Sequence, residues 1–366
     1  MKPESILVVA PRGMRFSPHG ATSIDLCIHD FVRFSRYREQ STVIAGWVEE
    51  PFQDVNTKLI MREAAGFRER AREIRKIIRA EKPDLVVVHQ HLPTAAILGR
   101  SRLGCPVLFH IHNFQKPPRH LLSRWERLRR YRSLDAVICV SEAVREAFNN
   151  QWPMVDTPTY TAHNGIDCAG WSADLSDKEK LILFSGRFVR EKGVVEAVDA
   201  LRKVLPDHPD WRAVFLLSST DEQPDYVQEV REHLRNFGPQ LLALENVPHE
   251  EVRDWNRRAA IALVPSVFAE PFGRVAIESM AARCALVVTR RGGLPEVVGD
   301  TALLVDDPAT PDLAIAIDRL LKDETLRVSL AEQGYRRCNE RFDIRAVTGH
   351  LDDLYDRILG GSPKLR

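Results

Sequence analysis

Short runs of apolar residues alternate with longer polar segments along the whole chain. Most of these runs are continuous, which is typical of parallel strands that are buried on both faces. The segments between them, such as 72–82 and 250–259, have the spacing of amphipathic helices. The predicted strands are 5–10, 41–46, 84–89, 106–112, 136–141 and 160–165 in the first half, and 181–186, 213–218, 241–247, 261–266, 285–289 and 302–306 in the second.

The alternating order of strands and helices predicts a doubly wound parallel sheet, and the order occurs twice. A polar, turn-rich stretch at 164–180 separates the two sets of strands. We therefore expect an α/β protein of two Rossmann-like domains that face each other across a cleft, with limits at 1–168 and 169–340. The tail 341–366 contains an amphipathic helix at 341–360. This helix could close the second domain, but we expect the tail to cross back onto the first domain.

Composition is that of a water-soluble protein. Of 366 residues, 44% are hydrophobic and 28% are charged, and no apolar run approaches the ~20 residues that span a bilayer. The first apolar run leads into Pro-Arg-Gly, so it predicts a buried strand rather than a signal peptide. Six scattered cysteines lack metal-binding spacing, which favours reduced thiols over a zinc site or disulfides. These features predict a cytoplasmic protein.

Charge is distributed unevenly although the net charge is only +1. Residues 1–170 carry 25 lysines and arginines against 18 acidic residues, and much of the excess lies in 68–82 and 124–132. Such a run is usually a solvated helix face. The alternative is attraction to an anionic membrane, which we assign to residues 119–132, or to an acidic acceptor. Nucleic acid is less expected because no binding module accompanies the charge.

Ligands of open parallel sheets bind beyond the carboxyl ends of the strands. This rule places Gly20, His112, Gly186 and the segment 266–273 along the expected cleft. Arg187 and Lys192 follow the first strand of the second half, where two cations and a helix N-terminus suit a diphosphate. Alone, they could equally be two surface cations on a loop. Neither a Walker motif nor G-x-G-x-x-G is present.

Two glutamates, Glu270 and Glu278, lie eight positions apart. Pro271 suits the first turn of a helix, and a helical path would separate the two glutamates by about 12 Å. Paired glycosidase carboxylates lie about 5 to 9.5 Å apart, so this spacing favours two anchors along an elongated ligand over one acid–base pair. A nucleotide sugar offers hydroxyl groups at both ends. The alternative is two ordinary surface acids.

Three stretches of the second half form a specific combination: "SGRFVREKG", "VPSVFAEPFGRVAIESMA" and "GGLPEVV". The first half adds weaker ones, "HIHN", "VSEAVRE" and "HNGID". With these motifs the chain resembles the retaining glycosyltransferases of family 4, which have the GT-B architecture. The resemblance covers essentially the whole chain.

The resemblance implies roles for individual residues. Arg187 and Lys192 would hold the diphosphate of a nucleotide sugar, Glu270 would face the transferred sugar and Glu278 would hold the ribose. His112 would approach the sugar at the reaction centre, and His112, Glu270, Arg187 and Lys192 are the predicted catalytic residues. The remaining residues predicted to bind the nucleotide sugar are Gly20, Ala21, Gly186, Val247, Phe272, Gly273 and Arg274. No cofactor or metal is expected.

Several alternatives stay open. His110 shares a strand face with His112, so either could be the cleft histidine, although the strand-end position favours His112. The chain departs from the family pattern at Gly20-Ala21, where the Ala21 methyl narrows the approach of backbone amides to phosphate. It also departs at 283–285 and at 216–223, on the side of the base, so the identity of the base is open.

The expected activity is the transfer of a hexose with retention of configuration and without a metal. A UDP-sugar is the favoured donor and GDP-mannose is the second candidate. The acceptor is a glycan, a lipid-linked molecule or a small molecule. Synthesis of bacterial surface polysaccharide or lipopolysaccharide is the expected context, at the inner face of the membrane. A non-hydrolysing sugar-nucleotide epimerase and a non-catalytic sugar-nucleotide-binding protein are the alternatives.

Overall fold

The computed structural model describes residues 2–61, 66–218, 223–309 and 311–361. Its internal contacts form two compact units. Unit 1 comprises Met1–Gly165 with Ile344–Arg366, and unit 2 comprises Ile166–Asp343. The chain thus passes between units after Gly165 and after Asp343, whereas the sequence placed these limits at 168 and 340.

Unit 1 is built on a seven-stranded, wholly parallel sheet in the order β3-β2-β1-β4-β5-β6-β7. Its central strands are buried on both faces, which explains their continuous apolar runs. The strands are β1 (Ile6–Val9), β2 (Ser41–Gly46), β3 (Thr57–Ile60), β4 (Leu85–His89), β5 (Val107–Ile111), β6 (Ala136–Cys139) and β7 (Thr159–Thr161). The helices between them are α1 (Ser23–Arg33), α2 (Phe67–Glu81), α3 (Leu92–Gly99), α4 (Leu121–Tyr131) and α5 (Glu142–Gln151).

Strand β3 was not predicted. It is a sheet edge whose four residues, TKLI, bury only Ile60, so it lacks the continuous apolar run of the central strands. The last predicted strand of this half, 160–165, is short and spans Thr159–Thr161.

Unit 2 contains a six-stranded parallel sheet in the order β10-β9-β8-β11-β12-β13. In each sheet the strands that follow the first one are added first on one side of it and then on the other, so the order reverses between β1 and β4 and between β8 and β11. This reversal is typical of a doubly wound fold. The strands are β8 (Glu179–Arg187), β9 (Arg212–Ser218), β10 (Leu241–Glu245), β11 (Ala259–Val264), β12 (Ala285–Thr289) and β13 (Ala302–Val305). The helices are α6 (Cys168–Trp171), α7 (Val194–Val204), α8 (Pro224–Arg235), α9 (His249–Arg258), α10 (Arg274–Ala281), α11 (Leu294–Val298), α12 (Pro311–Lys322) and α13 (Glu324–Phe342).

The last helix, α14 (Ile344–Gly360), belongs to unit 1. Its apolar face enters the unit 1 core through residues such as Leu351 and Tyr355. Asp352 accepts hydrogen bonds from the Ser35 hydroxyl (2.6 Å) and the Arg36 amide (2.9 Å), just beyond the end of α1. The helix predicted over 341–360 therefore begins at Ile344, because residues 341 and 342 complete α13.

No helix in the described part of the chain is both long enough and apolar enough to span a bilayer. All six cysteines are free thiols, and the Sγ atoms of Cys168 and Cys338 lie 3.6 Å apart. This separation is well beyond the ~2.05 Å of a disulfide.

Candidate active site

In unit 2 the predicted diphosphate loop follows strand β8. Arg187 ends the strand and is exposed, while Lys192 closes a 3₁₀ turn (Arg190–Lys192) directly before α7. Gly193 caps α7 with φ +71°, and a Cβ there would lie 2.0 Å from the carbonyl oxygen of Pro265. Only glycine lets this loop pack against the segment that follows β11. The packing brings Lys192 to the neighbouring strand end.

Glu270 is buried beside Lys192. The Lys192 Nζ lies 2.5 Å from Glu270 Oε1, and the Ser266 hydroxyl donates a hydrogen bond of 2.7 Å to the same oxygen. Glu270 is only 6% exposed, so its charge is removed from water and depends on these two partners. Ser266 is itself fixed, because the Thr289 hydroxyl donates to its carbonyl oxygen at 2.7 Å. The result is a pre-positioned carboxylate–ammonium pair at the carboxyl ends of β8 and β11.

The "GGLPEVV" motif supports the backbone of Glu270. The Gly293 amide donates to the Glu270 carbonyl oxygen at 2.7 Å. Gly292 has φ +59°, and a Cβ on it would lie 2.2 Å from that same oxygen. Larger residues at these two positions would displace Glu270, so the glycines hold the carboxylate in place.

Helix α10 begins later than the sequence predicted. Gly273, with φ +110°, is its N-cap, and the helix runs from Arg274. Pro271 therefore lies before the helix and not in its first turn, and the fully helical path assumed between the two glutamates is wrong. A Cβ on Gly273 would lie 2.4 Å from Leu294 Cδ2, and the Phe272 side chain is buried against Phe342.

Glu278 lies inside α10 and has a different set of partners. Arg274 Nε donates to Glu278 Oε1 at 3.0 Å, and His249 Nε2 lies 3.8 Å from the same atom. Burial alone would raise the pKa of Glu278, but the contacts with His249 and Arg274 lower it overall. The carboxylate is therefore ionised and buried. The two glutamates have separate cationic partners, which is unlike two carboxyl groups that share a proton.

Val247 lies half-buried between β10 and α9, two residues before His249. Val247, which the family resemblance places near the base, is thus separated by one residue from a partner of Glu278. The other base-side feature of the sequence, the loop 216–223, falls partly on residues 219–222, which lie outside the described residues. Gly186 is half-buried, and a Cβ on it would lie 3.7 Å from Lys192 Cγ.

In unit 1 the predicted residues lie after strands β1 and β5. Gly20 and Ala21 directly precede Thr22, the N-cap of α1, and Gly20 has φ +78°. His112 follows the last residue of β5 and is 6% exposed. Its Nε2 lies 2.8 Å from Nδ1 of His89, and its backbone amide donates to Gln90 Oε1 at 2.7 Å. Burial lowers the pKa of His112 to about 3, so the ring is neutral at physiological pH.

His110 completes a buried group with these two rings. It stacks on His112, with centroids 4.7 Å apart, and on Phe31 of α1 at 5.5 Å. Burial, with smaller contributions from His112 and His89, lowers the pKa of His110 well below its usual value. Both of its ring nitrogens are buried without a hydrogen-bond partner among the described residues. Such groups usually cost about 1–3 kcal/mol each.

The sequence reasoning missed two members of these clusters, His249 and His89, and it placed Ser266 in the cleft without giving it a role. The signal for His89 was present, because it ends one predicted strand and 110–112 end the next. Parallel neighbours bring their carboxyl ends together. His249 gave no sequence signal, since it acts through an ion pair that only the fold creates.

Two family models match the chain and together span most of it. The model for Glycosyltransferase Family 4 matches residues 40–169, and the model for Glycosyl transferases group 1 matches residues 171–337. The first match falls in unit 1 except for its last residues, and the second falls in unit 2.

Among curated relatives, the alpha-maltose-1-phosphate synthase of Mycolicibacterium smegmatis is 27% identical over 312 residues, which are 74% of this chain and 79% of that protein. The lipopolysaccharide core biosynthesis mannosyltransferase LpcC of Rhizobium leguminosarum bv. viciae is 26% identical, covering 63% and 66% respectively. Among solved structures, Anabaena HepE in complex with UDP gives a TM-score of 0.81 at 17% identity, covering 96% of this chain and 100% of that one. The same protein has been solved in complex with UDP-glucose.

The fold and these matches define a GT-B glycosyltransferase. Within that class the chain belongs to the family 4-like glycosyltransferases, as its sequence motifs predicted.

Proposed function

We propose that this enzyme is a retaining, metal-independent hexosyltransferase that uses a UDP-sugar. The observation that carries the proposal is the half-buried Lys192, which contacts the buried Glu270, itself bonded to the buried Ser266, at the carboxyl ends of β8 and β11. A fixed ammonium at this position is ready to neutralise a leaving diphosphate, and no charge has to be reorganised during the reaction. The solved complexes of Anabaena HepE with UDP and with UDP-glucose support a uridine nucleotide, and GDP-mannose is the next candidate.

In this mechanism the bond between the anomeric carbon and the diphosphate oxygen breaks as the acceptor hydroxyl attacks from the same face. A diphosphate oxygen accepts the proton of that hydroxyl. Lys192 and Arg187 stabilise the negative charge that grows on the leaving group. The Glu270 carboxylate stabilises the positive charge that develops on the sugar, and Glu278 holds the ribose hydroxyls. The role of His112 beside the sugar stays a prediction.

The surroundings of the glutamates bear on the route to retention. A double-displacement mechanism needs a nucleophile and a general acid about 5–5.5 Å apart. Here each glutamate is held by its own cation, Lys192 for Glu270 and Arg274 for Glu278, and the two do not form a pair that shares a proton. This supports same-face attack without a covalent intermediate over double displacement.

The acceptor is proposed to be anionic or lipid-linked. The pKa of His91 is lowered to about 4. Burial is the main cause, and the positive charges of Arg70, Arg12 and Arg130 add to it. His91 follows β4 and Arg12 follows β1, which are adjacent strands, so positive charge collects at the carboxyl edge of the unit 1 sheet. Such a region attracts phosphate or carboxylate groups.

We also propose that residues 119–132 contact an anionic membrane surface. In α4 the side chains of Leu121, Leu122 and Trp125 are 82%, 76% and 57% exposed. The Arg129 guanidinium lies 4.6 Å from the centre of the Trp125 ring. Exposed apolar side chains beside several arginines are the features of a helix that lies in the interface of an acidic bilayer. Surface polysaccharide or lipopolysaccharide synthesis is the proposed context, supported by the relative LpcC.

A thermal-shift panel of UDP-, GDP- and ADP-sugars tests the choice of nucleotide. We expect the largest stabilisation with a UDP-sugar and its loss in Lys192→Met. Lys203→Met, which removes an exposed lysine from α7, serves as the matched control and should respond like the wild type. A larger shift with a GDP-sugar would contradict the choice of base.

Incubation with a radiolabelled UDP-sugar and candidate acceptors separates the function classes. Release of UDP with label in a new, larger product supports transfer. A labelled isomer of the starting sugar nucleotide would identify the epimerase alternative. Stabilisation by the sugar nucleotide without any product across acceptor classes would favour a binding protein.

A further inference from the structure

Three histidines at the carboxyl edge of the unit 1 sheet share one face. His89 of β4 is paired directly with His110 of β5, and His112 follows two residues later. Because side chains two positions apart on a strand point the same way, the three imidazoles lie together. All three are at least nine-tenths buried.

Nitrogen atoms of the three rings of this triad lie near one another. Nδ1 of His89 lies 2.8 Å from Nε2 of His112, and one nitrogen from each of the three rings lies within 4.8 Å of the others. His110 is the member that remains unexplained, since neither of its nitrogens has a hydrogen-bond partner among the described residues. A buried polar group without a partner calls for a ligand, an ion or a water molecule.

We propose that His89, His110 and His112 form a binding site for a divalent transition metal of the zinc type. Imidazole is a preferred ligand of zinc, copper and nickel. Three histidines leave a fourth position for water, as in catalytic zinc sites.

Metal binding requires the stacked rings to turn so that their nitrogens approach the separations of a zinc site. Zinc–nitrogen bonds of 2.0–2.1 Å in a tetrahedron place the ligand nitrogens about 3.3 Å apart. The His89–His112 pair is slightly closer than this and the widest pair is farther apart. Rotation of the rings about their second side-chain torsion, which is a soft one, supplies the adjustment.

A small cavity lies beside this triad. It has a volume of about 10 Å³, which is room for one water at most, and is lined by His89, Phe31 and Tyr355, among others. Water in this cavity would contact His89 and would not by itself supply a partner for both nitrogens of His110.

A metal at this site would also occupy His112. If His112 acts on the transferred sugar, as the proposed function holds, bound zinc lowers the rate of transfer. This consequence rests on the proposed function, whereas metal binding itself does not.

Calorimetric titration of the full-length, chelator-treated protein with zinc tests the site without any substrate. We expect saturable binding of one zinc ion per chain, and an affinity at least about tenfold lower in His110→Phe, which keeps the aromatic stack but removes both nitrogens. His350→Phe, a change of an exposed histidine on α14, should leave zinc affinity unchanged.

Absence of saturable zinc binding, or equal affinity in the wild type and His110→Phe, would overturn the site. Cobalt absorption of the wild type gives a second readout if His110→Phe does not fold. Intense visible bands of a tetrahedral nitrogen site support the proposal, and the weak bands of octahedral, solvent-exposed cobalt refute it. A protein that binds zinc but transfers no sugar in metal-free form would refute the proposed function and leave the site standing.

Discussion

The two units share a fold, yet the carboxyl ends of their sheets bury opposite kinds of polar group. In unit 2, the carboxyl groups of Glu270 and Glu278 are buried, and each lies against a cationic side chain. In unit 1, three imidazoles are buried together and kept neutral by burial, while the buried Arg70 guanidinium donates to the Ala10 carbonyl oxygen after β1. A doubly wound sheet therefore sets where a site lies, while the local partners decide whether its groups carry charge.

The contrast has a functional meaning. Charged groups already paired in unit 2 are suited to a reaction in which negative and positive charge separate. Neutral rings in unit 1 are suited to hydrogen bonding and metal binding. The most informative experiments change the charge in one unit and leave the other intact.

The largest effect is expected for Lys192→Met. Removing the ammonium should reduce the rate of transfer by about 10²–10³, because one stabilising charge at the leaving diphosphate is lost. It also leaves Glu270 buried without its cation, which should lower the free energy of unfolding by about 3 kcal/mol. Steady-state kinetics and denaturant unfolding measure the two effects, and Lys203→Met is the matched control. A wild-type rate in Lys192→Met would contradict the charge-based account of unit 2.

A smaller effect concerns the pH dependence of stability. The pKa of Glu278 is lower in the folded state than its ordinary value of 4.5. The ionised carboxylate therefore stabilises the folded state fully at pH values above 4.5, and this stabilisation is lost as the pH falls through the lowered pKa. Glu278→Gln should thus be less stable than the wild type by about 2 kcal/mol at pH 7. The gap should narrow below pH 4.5. Unfolding of both proteins in urea at pH 7 and in acid checks this, and a gap that is independent of pH would refute it.

A change in the proposed membrane-binding surface of unit 1, residues 119–132, should alter the affinity for anionic vesicles by about tenfold. Trp125→Ala should weaken binding to anionic vesicles by this factor, since a large apolar side chain no longer enters the interface. Binding should also fall steeply with salt. Vesicle flotation with neutral and anionic lipid measures it, and Met154→Ala, at another exposed apolar position of unit 1, is the control. Equal binding to neutral and anionic vesicles would leave α4 as a solvated helix.

The smallest effect is expected for metal removal. EDTA should leave the rate of transfer unchanged or slightly raised, because Lys192 and Arg187 supply the positive charge at the diphosphate. An assay with and without EDTA, and with magnesium or manganese restored, measures it. A strict requirement for either metal would remove the role given to these two residues.

Much of the fold was predictable because strands buried on both faces leave continuous apolar runs. Edge strand β3 was not, since Thr57 and Lys58 face partly outward and its pattern is too short to separate from a loop. The start of α10 was misplaced because Pro271 is a good first-turn residue locally. The packing of Gly273 against Leu294, which is set by tertiary structure, moves the helix start to Arg274.

The site was predictable in outline for a similar reason. Strand ends and motifs indicated Lys192, Glu270 and Glu278, but not that Lys192 and Glu270 would form a pair. That pair depends on Gly193 packing against the carbonyl of Pro265, a contact between distant segments. His89 was identifiable only by considering the ends of two adjacent strands together.

The central claim is that Glu270 and Glu278 act on different parts of the nucleotide sugar. Glu278→Gln should mainly raise the KM for the nucleotide sugar, because the ribose is held equally in the ground and transition states. Glu270→Gln should mainly lower kcat, because the negative charge beside a developing cation is lost while the side chain keeps its size. Steady-state kinetics of both variants at saturating acceptor is the most direct test. Separate effects on KM and kcat are predicted, and equal losses confined to kcat in both variants would contradict the account.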